Sequence, residues 1–115
     1  MAPPLAGMRV LAVEQYGAGP FGTQHLADLG AEVIKIENHK TGGDYARGLG
    51  PFFVEGAEAD DGSLFYQSIN RNKHSLTLDL GNPEALPVLH RLVASADAVA
   101  NNLRGDVPRP AGPDL

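Results

Sequence analysis

The sequence predicts an α/β fold, in which helices flank a parallel sheet, and three observations support this. Short apolar runs rich in Val, Ile and Leu recur along the chain, as in strands that are buried on both faces. A glycine-rich turn and a helix-like stretch separate the first two runs. A strand, a helix and a second strand in this order place the two strands in parallel with a right-handed crossover.

The first third of the chain supplies this strand–helix–strand unit. Residues 9–14, RVLAVE, are typical of a buried strand, and residues 31–37, AEVIKIE, of a second one. Pro20 suits the first position of the intervening helix because its fixed φ is helical. We expect this helix to run to about residue 29 and to end at Gly30 in a left-handed cap. We expect its buried stripe to contain Phe21, Leu26 and Leu29.

The remaining elements are less regular. Residues 38–63 contain six glycines and little periodicity, which predicts a long surface loop. In residues 75–80, SLTLDL, leucines alternate with polar residues, as in a strand with one apolar face. Asn82 and Pro83 then suit the N-cap and first turn of another helix, and residues 98–100 a short fourth strand.

Composition and charge exclude several functional classes. The chain has 115 residues, no cysteine and a formal net charge of −5. Disulfide frameworks, iron–sulfur sites and thiol nucleophiles are therefore excluded, and a general nucleic-acid surface is disfavoured. The four histidines lack metal-ligand spacing, and no apolar run is long enough to span a bilayer. We expect a cytoplasmic protein with no metal site and no nucleic-acid or membrane partner.

The turn after the first strand has two interpretations from its residues alone. Gly17, Gly19 and Gly22 form the spacing G-x-G-x-x-G, and Glu37 ends the second strand. This combination matches a nicotinamide- or flavin-dinucleotide site, in which glycines admit a pyrophosphate and the acid binds a ribose. The alternative is a tight strand-to-helix turn without a ligand.

Several blocks, in one order along residues 4–104, carry a resemblance to a known family. They are PLAGMRVL from residue 4, AGPF from residue 18, LADLGAEVIKIE from residue 26, Gly43-Asp44, Arg47-Gly48, NRNKHSLTLDL from residue 70, Pro83-Glu84, Ala96-Asp97 and Asn102-Leu103. Together they resemble the N-terminal segment of class III CoA-transferases, the formyl-CoA transferase or CaiB/BaiF type. The α-methylacyl-CoA racemases are close relatives of that family.

The resemblance implies part of a Rossmann-like sheet, the N-terminal part of the larger CoA-transferase domain. Residues 1–106 would form this CoA-binding part, and residues 107–115 an irregular proline-rich tail. The implied function is the N-terminal segment of an enzyme that transfers coenzyme A between carboxylic acids, with a racemase fragment as an alternative. Coenzyme A or its thioester would be a substrate together with a carboxylic acid, and no cofactor would be tightly bound. The full-length family forms interlocked homodimers.

The resemblance also implies which positions contact coenzyme A. They lie at or just after the ends of the four predicted strands and are Gly17, Ala18, Asn38, Lys40, Leu78, Gly81, Asn102 and Leu103. Asn38 stands where the family usually has an arginine, so the cationic role passes to Lys40. Leu103 replaces the more usual aromatic residue. The basic group of Arg71, Lys73 and His74 either faces the phosphates of coenzyme A or lies at a solvated strand entry.

No catalytic residue is assigned in this chain. The family's nucleophile is an aspartate that lies downstream of the matched segment, and Asp28, Asp44 and Asp79 do not stand at its position. We therefore expect no transferase activity from these 115 residues alone. Because an unpaired strand at a sheet edge invites association, we expect the fragment to be marginally stable or to self-associate.

Overall fold

The computed structural model describes residues 1–56 and 62–103, and its strands form a single parallel sheet. The helices and strands, in chain order, are β1 (Arg9–Val13), α1 (Ala18–Asp28), β2 (Glu32–Glu37), α2 (Leu64–Ser68), β3 (Lys73–Thr77), α3 (Leu86–Ser95) and β4 (Ala98–Asn101). Short 3-10 turns occupy His39–Thr41, Tyr45–Gly48 and Pro83–Ala85.

The sheet has the strand order β3-β2-β1-β4, and every pairing is parallel. Strand β1 is central, and Val10 lies opposite both Val33 of β2 and Ala98 of β4. Strand β1 is almost wholly apolar because it has a strand on each side and a hydrophobic cluster on each face. The predicted α/β class with a Rossmann-like parallel sheet is thus confirmed.

Two small hydrophobic clusters cover the two faces of the sheet. One joins Val10 and Val33 to Ala27 of α1, and the other joins Val13 and Ile36 to Leu89 of α3. Alternate residues of β1 enter opposite clusters, as the two-residue period of a strand requires. The helices therefore hold the carboxyl ends of β1 and β2 in fixed positions.

The prediction for the buried side of α1 was wrong for Phe21 and Leu29, whereas Leu26 packs against the cluster of Val10 and Val33 as expected. Phe21 and Leu29 are 56% and 45% exposed, and the buried positions of the helix are instead small or polar: Pro20, Thr23, Gln24 and Ala27. Polar partners explain the difference, because the Thr23 hydroxyl donates to buried Glu14 and Gln24 accepts the Arg71 amide. The predicted end of the helix is confirmed, since Gly30 has φ +103°.

The other boundaries differ from the predictions in ways that matter for the site. Strand β3 ends at Thr77, so Leu78 and Leu80 follow the strand instead of belonging to it. The predicted loop 38–63 contains two 3-10 turns. Asn82 caps the next turn as expected, with its Oδ1 accepting the Glu84 amide at 3.0 Å. The predicted boundary at residue 106 and the tail 107–115 lie outside the described residues.

Within residues 1–56 and 62–103, no helix combines the length and the apolar character needed to cross a bilayer.

A lysine lies in the middle of the buried part of the sheet. Lys35, on β2, has a side chain that is only 1% exposed. Its Nζ lies 2.5 Å from Asp44 Oδ2 and 3.5 Å from Glu14 Oε2, and it donates to Asn70 Oδ1 at 2.8 Å. A buried ammonium requires such partners because its transfer out of water is costly. The lysine thus connects β1, the turn at Asp44 and the segment before β3.

Glu14 forms an ion pair with a second buried lysine, Lys73. Lys73 Nζ donates to Glu14 Oε2 at 2.8 Å, to the Pro20 carbonyl at 2.9 Å and to Asn70 Oδ1 at 3.0 Å. Thr23 Oγ1 donates to the other oxygen of Glu14 at 2.6 Å. Burial lowers the pKa of Lys73, although the bond to Glu14 opposes that shift.

Glu37 forms the third ion pair, with Arg47. Arg47 Nε and Nη2 each lie 2.8 Å from one oxygen of Glu37, and Ser75 Oγ donates to it at 2.6 Å. The Asp44 amide donates to the same carboxylate at 2.8 Å. Burial alone would raise the pKa of Glu37, but the bonds from Arg47, Ser75 and Asp44 outweigh burial and lower its pKa to about 2. We call these three carboxylates and three cations the ionic cluster: Glu14, Glu37, Asp44, Lys35, Lys73 and Arg47.

Removal of Lys35 should destabilise the fold strongly. Lys35→Met leaves Asp44 without its closest cation, and such changes cost about 3–5 kcal/mol. The matched control is Arg9→Met, which removes a cation from an ion pair whose partners are 38% and 42% exposed, and should cost under about 1 kcal/mol. Urea unfolding of both variants measures the difference. Equal losses in the two variants would contradict the role given to Lys35.

Glu37 should make the fold sensitive to acid. Because its folded pKa of about 2 lies below the ordinary value of 4.5, its contribution is present above pH 4.5 and is lost as the pH falls toward 2. The shift corresponds to stability on the order of 3 kcal/mol. The unfolding free energy of Glu37→Gln should fall less than that of the wild type over this range. A carbon-13 NMR titration of the Glu37 carboxylate with a midpoint near 4.5 would refute the assignment.

Candidate functional site

A cleft opens at the carboxyl ends of the strands. Its volume is about 360 Å³, and loops that follow β1, β2, β3 and β4 surround it. Its lining residues are Val13, Glu14, Gln15, Ile36, Glu37, Asn38, Thr41, Gly43, Asp44, Leu78, Leu80, Gly81 and Leu103. Ligands of open α/β sheets bind at this edge, because the loops diverge there and the strand ends point toward the ligand. The cleft is therefore the candidate site.

The cleft is lined by both apolar and charged side chains. Leu78, Leu80 and Leu103 pack with the cluster beneath α3 and form an apolar wall. The three carboxylates of the ionic cluster lie on the opposite side, and each is paired with a buried or half-buried cation. The low pKa of Glu37 keeps it ionised at neutral pH, so it holds no proton to donate. This arrangement suits binding better than acid–base chemistry.

Helix α1 begins beside the cleft, directly after β1. Its N-cap, Gly17, makes no side-chain capping bond, and its first turn holds no acidic residue. The positive end of the helix dipole is thus not neutralised by a side chain, and such an end favours anions. Tyr16 leads into the helix with φ +70°, and its amide donates to Asp44 Oδ1 at 2.9 Å. The ionic cluster therefore also orients this turn.

The structure does not support the dinucleotide interpretation of the glycine turn. A Cβ on Gly17 or Gly22 would meet no atom within 4 Å, so packing within the fold does not require glycine at either position. A Cβ on Gly19 would lie 2.8 Å from the Asn102 side chain, which is a contact within the fold. The oxygens of Glu37 are bonded to Arg47, Ser75 and the Asp44 amide instead of being free for a ribose.

Half of the predicted coenzyme A positions line the cleft. They are Asn38, Leu78, Gly81 and Leu103. Asn38 Oδ1 accepts the Lys40 amide at 2.9 Å and thereby caps the 3-10 turn that follows β2. Leu78 lies on the apolar wall because β3 ends just before it.

The other predicted positions lie around the cleft without lining it. Gly17 and Ala18 begin α1. Lys40 is 66% exposed, and its Nζ lies 3.0 Å from Asp79 Oδ2. The Asn102 amide accepts from the Gln15 backbone N–H at 3.1 Å and donates to the Gln15 carbonyl at 2.8 Å. Asn102 therefore fixes the end of β4 against the end of β1.

The basic group of Arg71, Lys73 and His74 does not converge on the cleft mouth. Lys73 is buried against Glu14. Arg71 pairs with Asp28 at the end of α1, at the opposite edge of the sheet. His74 is exposed. Of the two interpretations, the structure favours a strand entry over a phosphate site.

Several lining residues escaped the sequence analysis. Glu14, Gln15 and Thr41 received no role there, and Asp44 appeared within the block Gly43-Asp44 and among the aspartates that are not the nucleophile. That block was the available signal, because it is one of the segments in which the chain resembles the family. Its contact with Lys35 depends on the folded path of the loop.

Comparison with known proteins identifies the family. The model of CoA-transferase family III matches residues 5–114. The succinate–glutarate CoA-transferase of Agrobacterium fabrum is 45% identical over 105 residues, which are 90% of this chain and 26% of that protein. The human succinyl-CoA:glutarate CoA-transferase is 41% identical over 99 residues, 86% of this chain and 21% of that protein.

A solved structure agrees with the sequence matches. A CaiB/BaiF family protein from Brucella suis superposes with a TM-score of 0.88 and 36% identity, covering 100% of this chain and 30% of that one. The chain thus spans about a quarter of the length of the curated relatives it matches. The resemblance noted in the sequence is confirmed. With a family match over nearly all its residues and a fold shared with a solved member, this chain belongs to CoA-transferase family III.

Proposed function

We propose that this chain is the coenzyme A-binding segment of an enzyme that transfers coenzyme A between carboxylic acids. The observation that carries the proposal is the cleft at the carboxyl ends of the strands, because four of the positions matched to the family's coenzyme A contacts line it. Coenzyme A or its thioester is then a substrate, and a carboxylic acid is its acceptor. No tightly bound cofactor is part of the proposal.

The chemistry of the cleft supports a ligand with both apolar and anionic parts. The leucine wall offers contact area to an adenine ring or a pantetheine chain. The start of α1, at Gly17 and Ala18, offers a favourable position for a pyrophosphate. Lys40 offers a positive charge at the mouth, after Asn38. Asn102 contributes by holding the strand ends together.

The proposal assigns no nucleophile to these residues. Covalent transfer by a carboxylate requires an oxygen that is free to attack a carbonyl. Glu14, Glu37 and Asp44 are instead engaged with buried cations. Their role in the proposal is to shape the cleft, and the acyl chemistry falls to residues outside this segment.

We also propose that the chain works in the cytoplasm and associates with a second copy of itself. Strands β3 and β4 are the two edges of the sheet. An aromatic patch of Tyr16, Tyr45 and Phe65 lies on the surface. The ring centroid of Tyr16 is 6.3 Å from that of Tyr45 and 5.6 Å from that of Phe65. Open edges and exposed aromatic groups both favour association.

The chain should bind coenzyme A more tightly than NAD, and a negative charge at position 38 should weaken binding. Asn38→Asp keeps the capping oxygen but places a carboxylate in the cleft, so we expect a roughly fivefold loss of coenzyme A affinity. Asn82→Asp is the matched control, because Asn82 caps another 3-10 turn in the same way and does not line the cleft. Isothermal titration calorimetry measures both. Tighter binding of NAD would refute the proposal.

The aromatic patch should contribute to self-association. Tyr45→Ser removes a ring that is 66% exposed, and it should shift the chain toward monomer in sedimentation velocity runs. Phe21→Ser removes a ring that is 56% exposed on α1, outside the patch, and should leave the distribution unchanged. A wild-type chain that stays monomeric at tens of micromolar would argue against association through this surface.

A further inference from the structure

An ion pair lies beside the cleft. Lys40 lies on the turn after β2, and Asp79 lies on the loop after β3. Lys40 Nζ is 3.0 Å from Asp79 Oδ2, and the two side chains are 66% and 14% exposed. The pair therefore connects two loops that line the cleft, since Asn38 and Gly81 beside it are lining residues.

The two oxygens of Asp79 have different partners. Oδ1 accepts the Gly81 amide at 3.0 Å and shapes the loop, whereas Oδ2 faces Lys40. The bond to Lys40, followed by that to the Gly81 amide, lowers the pKa of Asp79, so the carboxylate is charged at neutral pH. A substitution that removes the charge of Asp79 can leave the loop unchanged, because the bond from the Gly81 amide uses Oδ1 and the contact with Lys40 uses Oδ2.

Lys40 differs from the cations of the ionic cluster. Lys35 and Lys73 have side chains that are 1% and 2% exposed, and both are bound to buried carboxylates. Arg47 is bound to both oxygens of Glu37. Lys40 instead has an exposed side chain, and its carboxylate partner Asp79 is half-buried, so solvent screens this pair more than it screens the pairs of the ionic cluster. A phosphate can therefore compete for Lys40 in a way that it cannot compete for the other three.

We propose that Asp79 acts as an internal competitor of the ligand: it pairs with Lys40 in the free protein and releases Lys40 to a phosphate group when coenzyme A binds. This inference rests on the proposed function and adds a residue that sets its affinity and phosphate selectivity. Asp79 is a positioning residue, because it acts through Lys40.

The test is calorimetric titration of the wild type and Asp79→Asn with three probes. Coenzyme A carries a 3′-phosphate and a pyrophosphate, dephospho-coenzyme A only the pyrophosphate, and pantetheine neither. The asparagine Oδ1 can still accept the Gly81 amide while Lys40 loses its anionic partner. We expect coenzyme A to bind about three- to tenfold more tightly to Asp79→Asn and pantetheine to bind unchanged.

Two further variants separate this effect from a general change in charge. Asp28→Asn removes an aspartate that is paired with an exposed arginine at the opposite edge of the sheet, and it should leave coenzyme A affinity unchanged. Lys40→Met should weaken coenzyme A binding and abolish the gain from Asp79→Asn, as coupling between the two positions requires.

The outcomes decide between the alternatives. A gain for coenzyme A alone assigns Lys40 to the 3′-phosphate, and an equal gain for dephospho-coenzyme A assigns it to the pyrophosphate; both support the inference. Unchanged coenzyme A affinity in Asp79→Asn, a gain for pantetheine, or a gain that persists in Lys40→Met would overturn it and leave the proposed function intact. Failure of every variant to bind coenzyme A would overturn both.

Discussion

The geometry of the cleft depends on the charge balance of the ionic cluster. Three carboxylates and three cations meet near the carboxyl ends of β1 and β2, and they come from the end of β1, from β2, from the turn at residues 44–48 and from the start of β3. Because an unpaired charge in this position would be costly, the segments must meet in one arrangement. Asp44 shows this most clearly: its side chain binds Lys35, its backbone N–H binds Glu37, and it also accepts the Tyr16 amide. The cluster thus fixes the loop, the strand ends and the start of α1 together.

The cleft separates fixed charges from exchangeable ones. At its base, burial makes every ion pair expensive to break, and the carboxylates there serve to hold loops in place. At its mouth, Lys40 and Asp79 are held by a pair that water and salt weaken. Such a division suits the polyanionic ligand proposed above, because its phosphates can exchange with the outer pair while the base keeps its shape. The leucine wall adds contact area without adding charge.

Sequence reasoning succeeded where local pattern determines structure. The predicted strands at 9–14 and 31–37 differ from Arg9–Val13 and Glu32–Glu37 by one residue at a single end each, because apolar runs identify buried parallel strands. The buried side of α1 was missed in part, since Thr23 faces inward only because Glu14 lies beneath it. The resemblance singled out Leu78 and Gly81, and both line the cleft. The pairing of Lys40 with Asp79 could not be predicted, because it joins two irregular loops whose relative position follows from the whole sheet.

The strand order also has a consequence for the order in which the parts of the cleft can form during synthesis. The chain from β1 to β3 contains every member of the ionic cluster, and the last of them is Lys73. Strand β4 pairs with β1 only after residue 98 has emerged, and it brings Asn102 and Leu103 with it. A nascent chain can therefore form the charged base of the cleft first. The part of the cleft lined by Leu103 forms later, because it depends on the contact between Gln15 and Asn102, which are 87 residues apart in sequence. The position of Leu103 at the cleft accordingly depends on the pairing of β4 with β1.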